Sequence, residues 1–464
     1  MASRAPADIV IFGASGDLAQ RKVLPALGTL GGDGRLRVLG AGRSSLSSER
    51  FRDLVADASG SSALAAHSEW VRLDYDTPDS YSALKETLNS SKHPTVFYLA
   101  TPPTTFTSIL QGLTRAGLSE RGDDRRIVVE KPLGQDAASA RELNQQLREL
   151  FDESQIFRID HYLAKDTVQN VLAFRFSNSL FEPVWDRRMI ESIQITAAED
   201  IDIGQRAGYY DRIGAMRDMI QNHVLQLLAL VTMEPPTTFD PADIRTAKAE
   251  VLRAVQPLDP STAVRGQYEG YLDAEGVAPD SRRETFAAAR VVLENWRWEG
   301  VPIFIRSGKA LRRQLTEVVI RLREAPNLRV GGRRQRGIPT LLVMRFQPDE
   351  GILLRIGAKR PGTPFEVVPA GMKLEYKRLS RRELPDAYVN VLNEILAGGH
   401  TVFPGAREIE RSWEIVDPVI QSWEADGHPE IYLPGSWGPS LAGDLVAAQG
   451  GGRWITSGDE PGTS

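Results

Sequence analysis

The sequence predicts a two-part fold, in which an α/β domain with a parallel sheet precedes a large α+β domain with a mainly antiparallel sheet. In the first third of the chain, apolar runs such as ADIVIFG and TVFYLAT alternate with helical stretches. After about residue 185, runs such as SIQITA and TEVVIRLR alternate apolar and polar residues instead. Buried strands between helices are typical of doubly wound parallel sheets, and period-two strands of antiparallel sheets. We place the boundary at residue 160, which gives domains 1–160 and 161–464.

The strands of the N-terminal domain are predicted from five apolar runs. ADIVIFG is followed by a glycine turn and a helical stretch around residues 22–30, and RLRVLGAG precedes a polar helix from about Ser47. TVFYLAT, RIVVEKP and QIFRID come next. A sheet of this kind binds its ligands outside the carboxyl ends of its strands, so we expect functional residues there.

The strands of the C-terminal domain show a period of two. Ile193 and Ile195 face one side of their strand, while Gln194 and Thr196 face the other. VPIFIRS, TLLVMRFQ and GILLRIGA repeat the pattern, and a QPDEG turn at residues 347–351 predicts a hairpin between the last two. We therefore expect a mainly antiparallel sheet with one covered face.

The composition excludes several classes of protein. The chain has 464 residues, of which 41% are hydrophobic and 25% charged, with a net charge of −5 and no cysteine. Disulfides and thiolate metal sites are therefore excluded, and we predict no metal site. The negative charge predicts no nucleic-acid or membrane partner. Neither a signal peptide nor a long apolar span is visible, so we expect a cytoplasmic location.

The segment GASGDLA, from Gly13 to Ala19, follows the first predicted strand and opens the first predicted helix. This is the setting of a dinucleotide-binding turn, so the N-terminal domain is expected to be of the Rossmann type. Gly13 permits the tight turn, and Gly16 lets the backbone approach a pyrophosphate at the helix N-terminus. A glycine turn without a ligand is the alternative, because the spacing G-x-x-G-x-x-A is weak evidence alone.

The end of the second predicted strand indicates which dinucleotide binds. An NAD site usually has an acidic side chain there, which holds the ribose 2′-hydroxyl. This strand ends in Gly42, Arg43 and Ser44 instead, and a guanidinium matches a 2′-phosphate. Arg43 therefore favours NADP, and a solvated loop arginine is the alternative.

His223 is the candidate catalytic base. Oxidation of a hydroxyl group needs a base that titrates near neutrality, and histidine is the natural choice. His223 lies in RDMIQNHVLQLLALV, a strong helical pattern in which Met219 and Leu227 share its apolar face. A hydrogen-bonded core histidine is the alternative that this helix alone favours.

The cluster RIDHYLAK lies where a strand-like run meets a predicted helix, YLAKDTVQNVLAF. His161 and Lys165 are four residues apart, so they share a helical face and can clamp a phosphate. Asp160 can instead bind a catalytic imidazole and fix its tautomer. The alternative is a plain N-cap at Asp160 and a surface pair of Lys165 and Asp166. Together with His223, the cluster predicts a nicotinamide-dependent dehydrogenase that acts on a phosphorylated sugar.

The segment EKPLG ends another predicted strand of the N-terminal domain. Its position places Lys131 at the carboxyl edge of the sheet, where ligands bind. The triplet EKP is not specific by itself, because other two-domain sugar oxidoreductases have one at this place.

Taken together, the motifs resemble one known family, the glucose-6-phosphate dehydrogenases. GASGDLA, EKPLG, RIDHYLAKDTVQN, FEPVWDRR, AED…GYYD…RDMIQNH, VPIFIRSGKAL, VRGQY and YLPGSWGP occur in the family's order and with similar spacing. The resemblance runs from Ile9 to about Trp454, and RIDHYL followed by QNH is its most specific part.

The resemblance implies oxidation of D-glucose 6-phosphate to the phosphogluconolactone with NADP, the first step of the oxidative pentose phosphate pathway. It implies His223 as the base, Asp160 as its carboxylate partner and Lys131 as a bridge between substrate and cofactor. The substrate contacts that it implies are His161, Tyr162 and Lys165 for the phosphate, and Glu199, Asp218, Lys309 and Gln347 for the sugar. The cofactor contacts that it implies are Gly13, Ala14, Ser15, Gly16, Asp17, Leu18, Arg43, Tyr98 and Lys131. It also implies a homodimer or homotetramer.

Four places depart from the family pattern. One is the segment TVFPGARE, which lacks a usual arginine. Ala164 stands where the family usually has glycine, Gln20 replaces a usual lysine, and Gln314 replaces a frequent basic residue. These changes bear on affinity, cofactor ratio and sugar specificity, because the base and the phosphate-binding residues are kept. Two other functions therefore stay open. One is a paralogue that acts on another hexose phosphate or prefers NAD, and the other is a non-catalytic assembly or regulatory homologue.

Overall fold

The computed structural model describes residues 5–31, 34–119, 121–122, 124–204, 207–325, 328–330, 333–335, 337–363, 365–379 and 386–458. These residues form a six-stranded sheet, a nine-stranded sheet and a short two-stranded sheet. The predicted fold class is confirmed: a parallel α/β region comes first, and a region with a mixed, mostly antiparallel sheet follows.

The first sheet is doubly wound, with the strand order β3-β2-β1-β4-β5-β6, and all its pairs are parallel. Its strands are β1 Ala7–Phe12, β2 Leu36–Gly42, β3 Ser68–Arg72, β4 Thr95–Leu99, β5 Arg125–Val129 and β6 Ile156–Arg158. All six residues of β1 are buried, as expected for a central strand with helices on both faces. The strand order reverses between β1 and β4, which opens a crevice at their carboxyl ends.

The helices around the first sheet begin and end at recognisable signals. They are α1 Leu24–Leu30, α2 Ser48–Ser59, α3 Ser62–Ala66, α4 Tyr81–Asn89, α5 Phe106–Arg115 and α6 Ala137–Leu150, and a π-helical segment, Ala19–Val23, precedes α1. Ser47 caps α2 by accepting a hydrogen bond from the Arg50 amide, and Gly60 ends it with a φ of 64°.

The second sheet has the strand order β16-β15-β14-β11-β7-β10-β9-β8-β17. Its strands are β7 Ile190–Ala198, β8 Ala263–Tyr268, β9 Phe286–Val291, β10 Ile303–Gly308, β11 Leu315–Leu322, β14 Leu341–Gln347, β15 Gly351–Lys359, β16 Val367–Glu375 and β17 Glu430–Tyr432. The two-stranded sheet consists of β12 Leu328–Val330 and β13 Arg333–Gln335. The predicted hairpin between β14 and β15 is confirmed. The sheet is mixed, because β7 pairs with β10 in parallel and β8 pairs with β17 in parallel.

The later helices include a second π-helical segment, Met216–Val224, which continues directly into an α-helix. The α-helices are α7 Asp166–Phe176, α8 Ala207–Ala215, α9 Leu225–Thr232, α10 Pro241–Ala254, α11 Ala387–Ala397, α12 Ala406–Ala425 and α13 Leu441–Ala448. Short 3₁₀ helices are Pro78–Ser80, Pro103–Thr105, Glu153–Gln155, Glu182–Val184, Pro260–Thr262, Tyr271–Asp273 and Tyr376–Arg378.

The chain divides into two compact units that are not contiguous in sequence. The first unit contains Met1–Lys165, Pro236–Thr246 and Pro385–Glu410, and the second contains Asp166–Pro235, Ala247–Leu384 and Arg411–Ser464. Within the first unit, Arg126 donates to the carbonyl oxygens of Ile395 and Leu396. The later segment is therefore tied to the parallel sheet.

One prediction about the second sheet is wrong. The alternation in β7 predicted a solvent-facing side, but Gln194 and Thr196 are each 1% exposed. Gln194 donates to the carbonyl oxygen of Arg453, and Thr196 accepts a hydrogen bond from Arg306. Both faces of this central strand are therefore covered. The polar side chains tolerate burial because hydrogen bonds satisfy them inside the unit.

No helix among the described residues combines the length and the apolarity that a membrane crossing requires.

Candidate active site

The glycine turn lies at the carboxyl end of β1, in the first unit. Gly13 has a φ of 80°, and its amide donates to the carbonyl oxygen of Ala41 at 2.9 Å. A Cβ at Gly13 would lie 2.9 Å from the carbonyl oxygen of Ala100, so only glycine fits between the ends of β1 and β4. The turn closes with the Gly16 amide donating to the Gly13 carbonyl at 2.9 Å. This geometry fits the predicted dinucleotide turn, where backbone must approach a pyrophosphate closely.

The residues after the turn differ in exposure. Ala14 is fully buried, Ser15 and Leu18 are half-buried, and Asp17 is exposed. Asp17 forms an exposed ion pair with Arg21 at 2.7 Å. Gln20, which replaces a usual lysine of the family, donates its side-chain amide to the Ser15 carbonyl at 2.7 Å. Gln20 therefore helps to hold the turn.

Arg43 follows β2 directly and is exposed. Its guanidinium lies 5.8 Å from the centre of the Tyr75 ring. The side chain therefore stands at the carboxyl edge of the parallel sheet, beside the strand that carries the glycine turn. This position is suitable for a contact with a ribose 2′-phosphate.

Lys131 lies just after β5, and the residue before it is a buried glutamate, Glu130. Glu130 is 5% exposed, and its Oε1 accepts hydrogen bonds from Tyr98 at 2.6 Å and from Tyr388 at 3.2 Å. Burial raises the pKa of Glu130, against the opposing effect of these hydrogen bonds and of Lys131. Tyr98 is fully buried, so its hydroxyl group supports Glu130. The cofactor contact of Tyr98 stays a prediction.

The predicted helix YLAKDTVQNVLAF exists, but it begins only at Asp166, so the part of RIDHYLAK that was expected to open it is not helical. Residues 161–165 form turns instead, in which the Leu163 amide donates to Asp160 and the Lys165 amide to Tyr162, both at 3.1 Å. His161 and Lys165 therefore do not share an α-helical face. Asp160 is 4% exposed, and its Oδ1 accepts from the Tyr162 amide at 2.9 Å. The carboxylate thus organises the turn that follows it.

The predicted phosphate-binding side chains still lie close together. The Lys165 ammonium lies 4.4 Å from the centre of the Tyr162 ring. The His161 ring lies 5.2 Å from the Tyr162 ring and stacks at 6.4 Å on Tyr388. Asn390, also on α11, donates to the Ala164 carbonyl at 3.0 Å. Helix α11 therefore supports this turn, although the sequence prediction assigned it to the other domain.

Glu199 and Lys309 form an ion pair in the second unit, with 2.5 Å between Nζ and Oε2. Glu199 follows β7 and Lys309 follows β10, and these parallel strands end side by side. The Glu199 amide also donates to the carbonyl oxygen of Gly308 at 3.0 Å. The predicted sugar-binding carboxylate and ammonium are therefore fixed at one edge of the sheet.

Gln347 lies at the same edge. It ends β14 and pairs with Thr316 of β11, which in turn pairs with Ala197 of β7. The register therefore carries a row of residues from Gln347 to the strand that precedes Glu199. Gln347 is half-buried.

Asp218 and His223 lie on the π-helical segment Met216–Val224, which packs against β7, β9 and β10. The Leu225 amide donates to the Ile220 carbonyl, the i→i−5 bond of a π-helix. His223 is 1% exposed, and Asp218 is half-buried. The predicted helix exists, but its class differs, and π-helical segments occur frequently at functional sites.

Tyr210 is a neighbour of the site that the sequence prediction missed. It is 5% exposed, and the Lys309 ammonium lies 5.5 Å from the centre of its ring. Burial raises the pKa of Tyr210, and the negative charges of Asp218, Glu284 and Glu199 raise it further. Tyr210 belongs to the motif GYYD and lies eight residues before Asp218. This motif served only for the family resemblance, although it could have indicated Tyr210.

A doubly wound sheet with a glycine turn, followed by a polar cluster on a second sheet, defines a nicotinamide-dependent oxidoreductase. Two family models cover most of the chain, and both agree with this class. The model described as "Glucose-6-phosphate dehydrogenase, NAD binding domain" matches residues 10–170. The model described as "Glucose-6-phosphate dehydrogenase, C-terminal domain" matches residues 172–455. The chain belongs to the glucose-6-phosphate dehydrogenase family.

Individual relatives agree with the family models. "Glucose-6-phosphate 1-dehydrogenase 2" of Mycobacterium tuberculosis is 41% identical over 484 residues, with 96% of this chain and 94% of the relative covered. A crystal structure of glucose-6-phosphate 1-dehydrogenase from Mycobacterium avium has a TM-score of 0.86 at 35% identity, with 98% and 99% covered. A glucose-6-phosphate dehydrogenase in complex with its substrate, glucose-6-phosphate, has a TM-score of 0.89 at 34% identity, with 98% and 100% covered.

Proposed function

We propose that this chain oxidises D-glucose 6-phosphate to 6-phospho-D-glucono-1,5-lactone with NADP, the first step of the oxidative pentose phosphate pathway. The observation that carries the proposal is the cluster of Glu199, Lys309 and Gln347 at one edge of the second sheet. The π-helical segment with Asp218 and His223 packs against the same sheet. Carboxylate, ammonium and amide groups are the partners that sugar hydroxyl groups need.

His223 is proposed as the base that takes the proton of the anomeric hydroxyl group. Its burial keeps water from the ring, and a positioned histidine base is suited to proton transfer near neutral pH. When bound, NADP supplies the acceptor of the hydride that leaves C1 of the sugar. Asp160 as the carboxylate partner of His223 and Lys131 as the bridge between substrate and cofactor remain predictions made from the sequence.

Lys165, His161 and Tyr162 are proposed to hold the substrate phosphate. The ammonium group of Lys165 supplies positive charge, and the cation–π contact with Tyr162 limits the positions of that group. Tyr162 and His161 add hydrogen-bond donors beside it. This arrangement explains why the proposed substrate is a sugar phosphate rather than a free sugar.

The glycine turn is proposed to bind the pyrophosphate of NADP through Gly13, Ala14, Ser15, Gly16, Asp17 and Leu18. The absence of a Cβ at Gly13 and the adjoining helix N-terminus fit this role. The central test of the proposed function is a set of initial rates with glucose 6-phosphate and with glucose, each with NADP and with NAD. The proposal requires the highest kcat/KM for the pair of glucose 6-phosphate and NADP.

Arg43→Ala is expected to lower kcat/KM for NADP by about ten- to a hundredfold, because a charge-assisted contact to the 2′-phosphate contributes about 1.5–3 kcal/mol. The kcat/KM for NAD should change by less than about twofold, because NAD lacks this phosphate. Arg50→Ala, which removes an exposed arginine of α2, is the control. Equal losses with both cofactors would contradict the role of Arg43.

We also propose that the chain forms a homodimer through the edge of the second sheet, and a homotetramer is the other assembly that the resemblance implies. Strand β16 lies at this edge, and Met372 and Leu374 are 55% and 40% exposed. These two side chains share one face of the strand, since they are two residues apart. An exposed apolar edge strand is a common pairing surface. The cytoplasmic location and the absence of nucleic-acid or membrane partners remain predictions from composition.

Replacing both Met372 and Leu374 with lysine is expected to convert the dimer into monomers, because burying a charged side chain without a partner is costly. Sedimentation equilibrium measures the mass of the assembly. Leu180→Lys, at a leucine that is 69% exposed and outside this strand, should leave the mass unchanged. A double variant with the mass of the unaltered protein would refute this interface.

A further inference from the structure

The π-helical segment that carries Asp218 and His223 begins after a kink at Gly214, where φ is 74° and ψ is 172°. Two backbone amides just after the kink donate to one residue. The Ala215 amide donates to the carbonyl oxygen of Glu284, and the Met216 amide to its side-chain Oε1, both at 3.1 Å. Glu284 therefore holds the start of the segment through its backbone and its carboxylate.

Glu284 is a buried residue with a charged neighbour. It is 3% exposed, and Arg283 lies beside it, with 3.7 Å between Nη1 and Oε2. Burial raises the pKa of Glu284, and the charges of Arg283 and Arg217 oppose this effect. A carboxylate near the first amides of a helix is also favoured by the helix dipole. Such a buried acceptor persists only where its hydrogen bonds offset the cost of burial.

Gly214 leaves room for this carboxylate. A Cβ at Gly214 would lie 2.3 Å from Oε1 of Glu284, which is closer than any real contact. The positive φ at Gly214 also disfavours other residues. The kink and the carboxylate therefore occupy one tightly packed space, so the position of Glu284 determines where the segment begins.

The residue after Glu284 connects the same place to the sugar-binding lysine. The carbonyl oxygen of Thr285 accepts from the Lys309 amide at 2.9 Å. The Tyr432 hydroxyl donates to the Lys309 carbonyl at 2.7 Å and lies 2.9 Å from the Thr285 hydroxyl. Glu284 and Thr285 are thus bonded to the start of the segment that carries His223 and to the backbone of Lys309.

We propose that Glu284 is a positioning residue, whose carboxylate fixes the π-helical segment so that His223 and Asp218 are held in register with Lys309 and Glu199. This inference rests on the proposed function, because it assigns a role in sugar phosphate oxidation. The property of Glu284 that matters in this proposal is the length of its side chain. The side chain must extend far enough to accept the Met216 amide, whereas its negative charge is secondary.

Two variants separate reach from charge. Glu284→Asp keeps the charge but is one methylene shorter, so it loses the Met216 amide, and kcat should fall by about tenfold or more, as for a misplaced catalytic group. Glu284→Gln keeps an oxygen at the same distance, so kcat should stay within about threefold of the unaltered protein. The deuterium isotope effect on kcat with C1-deuterated glucose 6-phosphate should rise in Glu284→Asp only, because the slowed chemical step then limits turnover.

Glu317→Asp is the matched control for stability. Glu317 is also a fully buried glutamate of the second unit, and its Oε1 accepts the Ser457 amide at 3.0 Å. The Glu317→Asp substitution should lower the Tm about as much as Glu284→Asp does, but it should change kcat by less than about twofold. The inference is overturned if Glu284→Asp keeps the kcat and isotope effect of the unaltered protein, or if Glu284→Gln loses as much as Glu284→Asp. An unaltered protein without glucose 6-phosphate oxidation overturns the proposed function, and this inference with it.

Discussion

His223→Asn is expected to lower kcat by about 10²–10⁴-fold, the usual contribution of a general base. Asparagine is close to histidine in size and can donate a hydrogen bond, but it cannot take a proton near neutral pH. The π-helical segment should therefore keep its packing while proton transfer fails. Steady-state rates with glucose 6-phosphate and NADP measure the loss.

Binding should survive this substitution, and that distinguishes lost chemistry from lost structure. The dissociation constant of glucose 6-phosphate, measured by calorimetry, should stay within about threefold, because a base acts mainly in the transition state. His428→Asn, at an exposed histidine of the second unit, is the matched control and should leave kcat unchanged. Activity within a few-fold of the unaltered protein in His223→Asn would refute the assignment of the base.

Lys165→Ala is expected to raise the KM for glucose 6-phosphate by about ten- to a hundredfold, because hydrogen bonds to charged groups contribute about 1.5–3 kcal/mol. The ammonium is held over the Tyr162 ring, so its position is defined before substrate binds. The kcat should fall much less than kcat/KM, because the phosphate is distant from the reacting carbon. Initial rates over a wide range of substrate concentration separate the two parameters.

Unphosphorylated glucose provides the internal control for Lys165. The substitution should leave kcat/KM for glucose unchanged, since glucose has no phosphate for the ammonium to bind. Lys85→Ala removes an exposed lysine of α4 and should change neither substrate's parameters. Equal losses for glucose and glucose 6-phosphate in Lys165→Ala would contradict phosphate binding by this residue.

The parallel strands and the glycine turn could be predicted from the sequence, because both depend on residues that are close together in the chain. The apolar runs around Val10, Val38, Phe97 and Val128 form buried parallel strands, because a strand covered on both faces needs apolar residues throughout. The glycine turn was predictable for a similar reason, since Gly13 adopts a conformation that other residues avoid.

Features that depend on distant partners were not predictable. Gln194 and Thr196 looked solvent-facing, because no sequence period reveals that Arg453 and Arg306 satisfy them inside the unit. Strand β3 was missed because it is short and includes a glutamate and an arginine. A π-helix and an α-helix have similar apolar periods over nine residues, so the class of the segment with His223 was also hidden.

The candidate site divides in the same way. His223, Glu199 and Lys309 were named from motifs, whereas the contacts of Tyr210 with Lys309 and of Glu284 with Met216 join residues that are distant in the sequence. The turn at residues 161–165 illustrates a further limit, because its composition favours a helix but the Asp160 carboxylate binds the Tyr162 amide and closes a turn instead.

The division of the first unit among three segments constrains the order in which the protein can mature during its synthesis. Domains that are contiguous in sequence can fold as soon as they leave the ribosome. Here the carboxylate of Glu130 is satisfied partly by Tyr388, and Arg126 is bonded to the carbonyl oxygen of Ile395. The parallel sheet therefore emerges more than two hundred residues before the helix that completes its hydrogen bonds. In the growing chain, all six strands of the sheet are therefore made before the partners of Glu130 and Arg126 on that helix.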